Sequence, residues 1–117
     1  MRVAEPLLLR RLSGNAEETM SVLVNLQLKV KQGQVPNLLE TFKELLPGTL
    51  AYNGCQWIKV ARNIEGDHVL EAVSQWDSKD HYDTYIKWRT ETGALDALME
   101  FLDEKPVFRF LPVEQEY

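Results

Sequence analysis

A chain of 117 residues with 44% apolar and 26% charged side chains has the make-up of one soluble globular domain, large enough to hold a core without staples. Its net charge of −5 and its scattered basic residues, Arg10-Arg11 apart, argue against a nucleic-acid surface, which needs clustered Lys and Arg. Cys55 is the only cysteine, which excludes an intrachain disulfide and fits a reducing compartment. No apolar run reaches the ~18 residues of a membrane helix, and the stretch Leu7–Leu9 is too short for a signal peptide, so the expected location is cytoplasmic.

Residues 1–19 read as an N-terminal extension, partly ordered at best. Ser13–Thr19 is polar and opens on turn formers, while Leu7–Leu9 is apolar enough to dock on the domain or a partner. The domain proper is expected over 20–113, with 114–117 as a tail. Val22–Lys31 alternates strictly, with Val22, Val24, Leu26, Leu28 and Val30 on one face, which predicts a strand with one apolar side ended by Gly33. Val35, Leu38, Leu39, Phe42, Leu45 and Leu46 follow at helical spacing. Pro36 suits the first turn and Pro47-Gly48 is expected to stop the helix.

Thr49–Gly54 reads as a connector. Cys55–Ile64 is the second expected strand, with Gln56, Ile58, Val60, Arg62 and Ile64 on one face and Cys55, Trp57 and Lys59 on the other. Glu65-Gly66-Asp67 reads as a hairpin turn with Gly66 free to take positive φ, and His68–Trp76 as the third strand. Ser78 is the better of two N-cap candidates for the next helix, whose inner side carries Tyr82, Tyr85, Ile86 and Arg89, flanked by His81 and Trp88. Thr90–Gly93 interrupts it. A second helical piece carries Leu95, Leu98, Met99 and Leu102, Pro106 ends it, and Val107–Leu111 is a last strand stopped by Pro112.

The order is β-α-β-β-α-β, the split βαβ unit of ferredoxin-like α+β folds, which builds a four-stranded antiparallel sheet with both helices on one face. The other face must be polar, covered or paired with a second copy. Trp57, Val69 and Val73 fall on it and favour coverage over open water.

Three local features, in order, resemble the antibiotic biosynthesis monooxygenase domain of the dimeric α+β barrel superfamily. They are the strand-glycine-helix opening Leu26–Gly33, the Gly54-Cys55 entry into the second strand, and Ser74-Gln75-Trp76-Asp77-Ser78-Lys79-Asp80, similar to the family's Trp-x-Ser before an acidic helix start. The resemblance spans about Met20 to Val113. It implies a homodimer with sheets packed face to face, a dimeric α/β barrel. In some members it implies oxidation of phenolic or quinol substrates by molecular oxygen with no bound metal or flavin, so the expected cofactor is none. Expected partners are a second copy and a small aromatic or apolar molecule, with no nucleic acid and no membrane. The alternative is a non-catalytic barrel that binds a small apolar ligand or acts in a stress response, because fold alone does not fix function.

Such an oxygenase needs an apolar, aromatic pocket, an acceptor for the substrate proton and donors for the resulting anion. Leu26, Ala72, Ser74, Trp76 and Trp88 are the expected substrate-binding residues. Ala72 and Ser74 are small and leave volume beside Trp76, which reads either as a pocket wall or as a core anchor. His81 and Tyr85 are the candidate catalytic groups. An imidazole titrates near neutral pH, although His81 falls in the first helical turn, where a surface role is the simpler reading. A phenol ordinarily ionises only near pH 10, so it is a poor base but a good hydrogen-bond partner. Trp88 reads equally as core or interface. Asn25 falls on the sheet face away from the pocket, whereas Leu26 stands where related enzymes place an asparagine. Arg62 can meet a substrate anion or a neighbouring carboxylate. Two histidines and one cysteine, without metal-ligand spacing, argue against zinc. Leu95 stands where haem-degrading relatives place an iron-ligating histidine. Cys55 reads as a buried structural thiol.

Overall fold

A computed structural model of the chain describes residues 20–117. The expectations for residues 1–19, including docking of Leu7–Leu9, lie outside the described residues. The alternation after Ser21 becomes β1 (Val22–Lys29), with Val22, Val24 and Leu28 buried. It is followed by α1 (Val35–Leu50), β2 (Cys55–Arg62), β3 (Val69–Trp76), α2 (Lys79–Glu91), α3 (Ala94–Met99) and β4 (Val107–Pro112). The strands form one sheet in the order β2-β3-β1-β4, and every neighbouring pair is antiparallel. This is the ferredoxin-like α+β fold, with the second helical stretch split in two.

Register decides which side chains share a face, because residues directly opposite in antiparallel strands point the same way. Leu26 lies opposite Ala72, and Val24 opposite Ser74. On the far side of β3, Val60 lies opposite Ala72 and Ile58 opposite Ser74. On the far side of β1, Phe108 and Phe110 lie opposite Leu26 and Val24. These rows form the face that carries the helices. One half of the core packs Leu28, Val30, Leu38 and Leu70 with Leu98 and Leu102. The other half is aromatic, with Val22, Val24, Trp76, Tyr82 and Tyr85. Each fully buried Leu or Val contributes roughly 1.5–3 kcal/mol relative to exposure.

Four sequence expectations are corrected. The first helix does not stop at Pro47-Gly48 but runs through Pro47 to Leu50, so Thr49 is helical rather than part of a connector. An internal proline costs about 3 kcal/mol. The last turn is held from outside: Thr49 is 1% exposed, and its hydroxyl and the Leu45 carbonyl are both bonded by side chains of α2. Second, β2 ends at Arg62 and Ile64 is fully exposed. Third, the register shifts between Cys55 and Trp57. This bulge puts Cys55, not Gln56, opposite Trp76 on the helix side, while Ile58 and Val60 keep the expected face. Fourth, positive φ is found at Gly33, Gly54 and Gly93, not at Gly66. The turn closes instead through Gly66 N–H to the Asn63 carbonyl (3.2 Å) and Val69 N–H to the Gly66 carbonyl (2.9 Å), and β3 starts at Val69 rather than His68.

Gly54 is where a glycine is required. Its φ is +95°, and a Cβ there would lie 2.5 Å from the His81 ring. Gly54→Ala is therefore expected to destabilise by about 1–3 kcal/mol from backbone strain alone, with the clash adding to it. Urea unfolding checks this, and an unchanged midpoint would show that the loop adapts.

Candidate functional site

Between the sheet and the helices lies a cavity of about 60 Å³. Val24, Leu26, Ile58, Ala72, Ser74 and Trp76 form its floor. Phe42, Leu45, Leu46 and Thr49 of α1 wall one side, and Tyr82, Tyr85, Ile86 and Arg89 of α2 the other. Ala94, Leu95 and Leu98 of α3 close the end. The floor is hollow because Ala72 and Ser74 are small between larger neighbours. The volume is below the ~150 Å³ of an engineered cavity that admits benzene. A ring therefore enters only as half-buried side chains such as Leu45, Leu46, Ile86 and Leu95 turn aside.

Trp76 is 0% exposed, and its indole Nε1 donates to Ser74 Oγ at 2.9 Å. It packs edge-on against Tyr82, with centroids 5.3 Å apart, and tilted against Tyr85 at 4.9 Å. Trp76 thus packs in the aromatic half of the core and lines the cavity. Burial first, then the nearby Tyr85 and Asp83, pushes the Tyr82 phenol well above the ordinary tyrosine range. At pH below about 10 this phenol is neutral both folded and unfolded. Above it, the unfolded chain ionises there first and binds fewer protons, so stability falls as pH rises. Tyr82→Phe is expected to flatten that alkaline decline in urea midpoints measured from pH 8 to 11; an unchanged slope would assign the decline to another group.

The polar end of the cavity is a three-residue cluster. Tyr85 Oη and Thr49 Oγ1 are 2.6 Å apart, and either hydroxyl can donate. Arg89 Nε donates to Tyr85 Oη at 3.1 Å. Arg89 Nη2 donates to the Leu45 carbonyl at 2.8 Å and to Thr49 Oγ1 at 3.1 Å. Tyr85 and Arg89 are one helical turn apart, which stacks them on one side of α2. Gly48 makes room for the guanidinium, since a Cβ there would lie 3.2 Å from Arg89 Nη2.

Of the residues singled out in the sequence, Leu26, Ala72, Ser74, Trp76 and Tyr85 surround this one cavity. Two others do not line it. His81 belongs to a separate, open depression with Tyr52, Asn53, Asp80 and Thr84. Its Nδ1 is 2.6 Å from Ser78 Oγ, and its backbone N–H donates to the same oxygen, which caps α2 as expected of Ser78. The imidazole is thus committed to the helix start and to its contact with Gly54. Trp88 stacks on Tyr52 at 5.1 Å, on the outer side of Tyr85. Asn25 does face away from the cavity, opposite Val73 and Arg109. Arg62 is exposed and, among the described residues, makes no ion pair. Burial pushes the Cys55 thiol up, away from the range of reactive thiolates. Leu95 lines the cavity.

Thr49 and Arg89 were not among the sequence candidates. Arg89 carried a readable signal, a charge on the inner side of a helix beside Tyr82, Tyr85 and Ile86, because arginine is rarely buried unless partnered. Thr49 lay hidden behind the Pro47-Gly48 stop signal.

Solved structures share this fold at low identity. A conserved protein from Methanosarcina mazei Go1 superposes with a TM-score of 0.75 at 20% identity, covering 85% of this chain and 98% of its own. A Caulobacter crescentus CB15 protein that bears the antibiotic biosynthesis monooxygenase name gives 0.71 at 18% identity, covering 88% and 98%. A haem-degrading protein from Mycobacterium tuberculosis gives 0.63 at 14% identity, covering 85% and 97%. No curated protein matches the chain. The family model for antibiotic biosynthesis monooxygenase matches residues 21–97, from β1 through most of α3, and the chain therefore belongs to the antibiotic biosynthesis monooxygenase family.

Proposed function

We propose that the chain binds a small aromatic, quinol-like molecule in the cavity behind the sheet and oxidises it with molecular oxygen, without a metal or flavin. One observation carries this reading: an apolar, aromatic chamber ends in the Tyr85–Thr49–Arg89 cluster, which offers hydrogen bonds and positive charge to an oxyanion. In this chemistry the substrate supplies the electrons. A ring carbon that bears hydrogen becomes a carbonyl as the phenol becomes a quinone, and the ring and phenolic hydrogens leave with the second oxygen atom of O2 as water, so no external reductant is needed. Trp76 orients the ring. Tyr85 holds the anionic oxygen, and water takes the proton, His81 being turned away.

The same reading covers assembly and location. The outer face of the sheet carries Leu23, Trp57, Val73, Val107 and Leu111, and Asn25 Oδ1 is buried there with no partner among the described residues. A second copy laid on that face shelters the apolar side chains and brings a donor within reach of Asn25, giving the dimeric barrel. A lone, half-buried cysteine suits the cytoplasm.

Oxygen uptake with a panel of one- and two-ring hydroquinones and naphthols tests the reaction. The expected result is saturable uptake above the uncatalysed rate, reduced tenfold or more in Tyr85→Phe, on the scale of removing one anion-stabilising donor. A second reading, a binding domain without catalysis, is favoured by the absence of any imidazole or carboxylate among the described residues that line the cavity. Binding of the panel without uptake would establish it.

A further inference from the structure

We infer that the ligand of this cavity carries, beside the phenolic oxygen held by Tyr85 in the proposed reaction, a carboxylate on its small aromatic body, and that Arg89 is the counter-ion of that carboxylate. This deepens the reading of the cavity as a binding site and rests on it. Arg89 is 7% exposed, yet no carboxylate lies within ion-pair distance of it among the described residues. The ion pairs there all involve other cations: Lys29 with Glu104, Lys43 with Glu40, Lys79 with Asp83, and His68 beside Asp67. A buried cation without a partner is costly unless something compensates it.

The compensation within the chain is incomplete. The guanidinium lies over the Trp88 ring at 4.4 Å and the Tyr85 ring at 5.4 Å, and it meets the carbonyl end of α1, where a helix favours positive charge. These contacts hold the group in place, but none is a full negative charge. Its donors are unevenly used. Nε and Nη2 make the three bonds to Tyr85, Leu45 and Thr49, whereas Nη1 has no hydrogen-bond partner among the described residues and keeps some accessible surface, unlike the fully buried Asn25 Oδ1. A guanidinium has five N–H donors in a fixed fork, so two remain available on a side chain that lines the cavity.

The remaining lining sets the rest of the ligand. Ser74 Oγ is occupied by the Trp76 indole, and the other walls are apolar or aromatic. Polarity is thus confined to one end, beside Arg89 and the Thr49–Tyr85 pair. A flat ring bearing one carboxylate matches that division, with the ring on Leu26, Ala72 and Trp76 and one carboxylate oxygen on Nη1. Charge-assisted bonds of this kind are the stronger class.

Benzoate and benzamide, nearly identical in shape and different in charge, test the inference by calorimetric titration at constant ionic strength. Benzoate is expected to bind wild type about tenfold tighter or more, the scale of one hydrogen bond to a charged group. In Arg89→Gln the two are expected to bind within about twofold of each other, and in Arg89→Lys the preference for benzoate is expected to persist in part. 4-Nitrophenol distinguishes a phenolate from a carboxylate as the anion: increased ionisation of the bound dye with no preference for benzoate would overturn the carboxylate assignment. Equal wild-type affinity for benzoate and benzamide overturns the charge pairing while leaving the cavity as a binding site. No binding of either, with quinols also failing to bind, removes both readings. The wild-type ratio decides the matter even where Arg89→Gln fails to fold.

Discussion

Trp76→Ala is expected to cost about 3–5 kcal/mol of folding stability, the range for deleting a large buried aromatic. For a domain of this size that corresponds to roughly 15 °C or more in Tm. Three features place it there. The indole is fully buried, it holds two tyrosines through ring contacts, and its removal joins the vacated volume to a cavity already present beside it. Trp76→Phe separates packing from hydrogen bonding. The ring survives, but Ser74 Oγ, 4% exposed as a residue, loses its donor, and about 1–2 kcal/mol is expected. Urea midpoints at fixed protein concentration read both. A loss below about 1 kcal/mol for the alanine variant would mean that the aromatic half of the core is not held as described.

If the proposed dimer forms through the outer sheet face, Leu23→Asp is expected to weaken self-association a hundredfold or more while leaving the single copy folded. Leu23 lies on the outer face, opposite Gln75 on one side and Leu111 on the other. It is half-buried within one copy, so a carboxylate there keeps contact with water when the chain is alone. Beneath the proposed second copy the same charge is desolvated, at a cost of several kcal/mol per site, and each 1.4 kcal/mol is a factor of ten. Sedimentation velocity across a concentration series reads the shift. Unchanged association would place the contact elsewhere and leave the Asn25 oxygen in need of another donor.

Much of the fold was legible because alternation is a direct consequence of a strand with one apolar side. Val22–Lys29 shows it, and Ser78 signals its helix by the chemistry of its hydroxyl. What escaped was decided by tertiary contacts. The bulge at Gln56 reverses the side chains at the start of β2, and nothing in the residues from Cys55 to Trp57 marks it. Pro47 carries a stop signal that local propensity alone would obey; bonds from α2 to Leu45 and Thr49 hold the turn beyond it. Half of the cavity was readable for the same reason as the strands, since Leu26, Ala72, Ser74 and Trp76 follow from register. Its polar end was not, because Thr49 and Arg89 are 40 residues apart and meet only when α1 and α2 pack. His81 shows the limit of such reading: a titratable residue near a pocket-lining helix invites a catalytic role, whereas its position one turn from Ser78 sets its imidazole on the cap hydroxyl and outside the cavity.

The central claim, that ligand chemistry happens behind the sheet, is tested most directly by titrating methyl-labelled protein with a one-ring hydroquinone in a two-dimensional NMR experiment. The expected shifts fall on the methyl groups of Leu26, Ala72, Leu95 and Leu98 and on the Trp76 indole N–H. Shifts confined to the depression around Tyr52, His81 and Thr84, or to Leu23 and Val107 on the outer face, would contradict it.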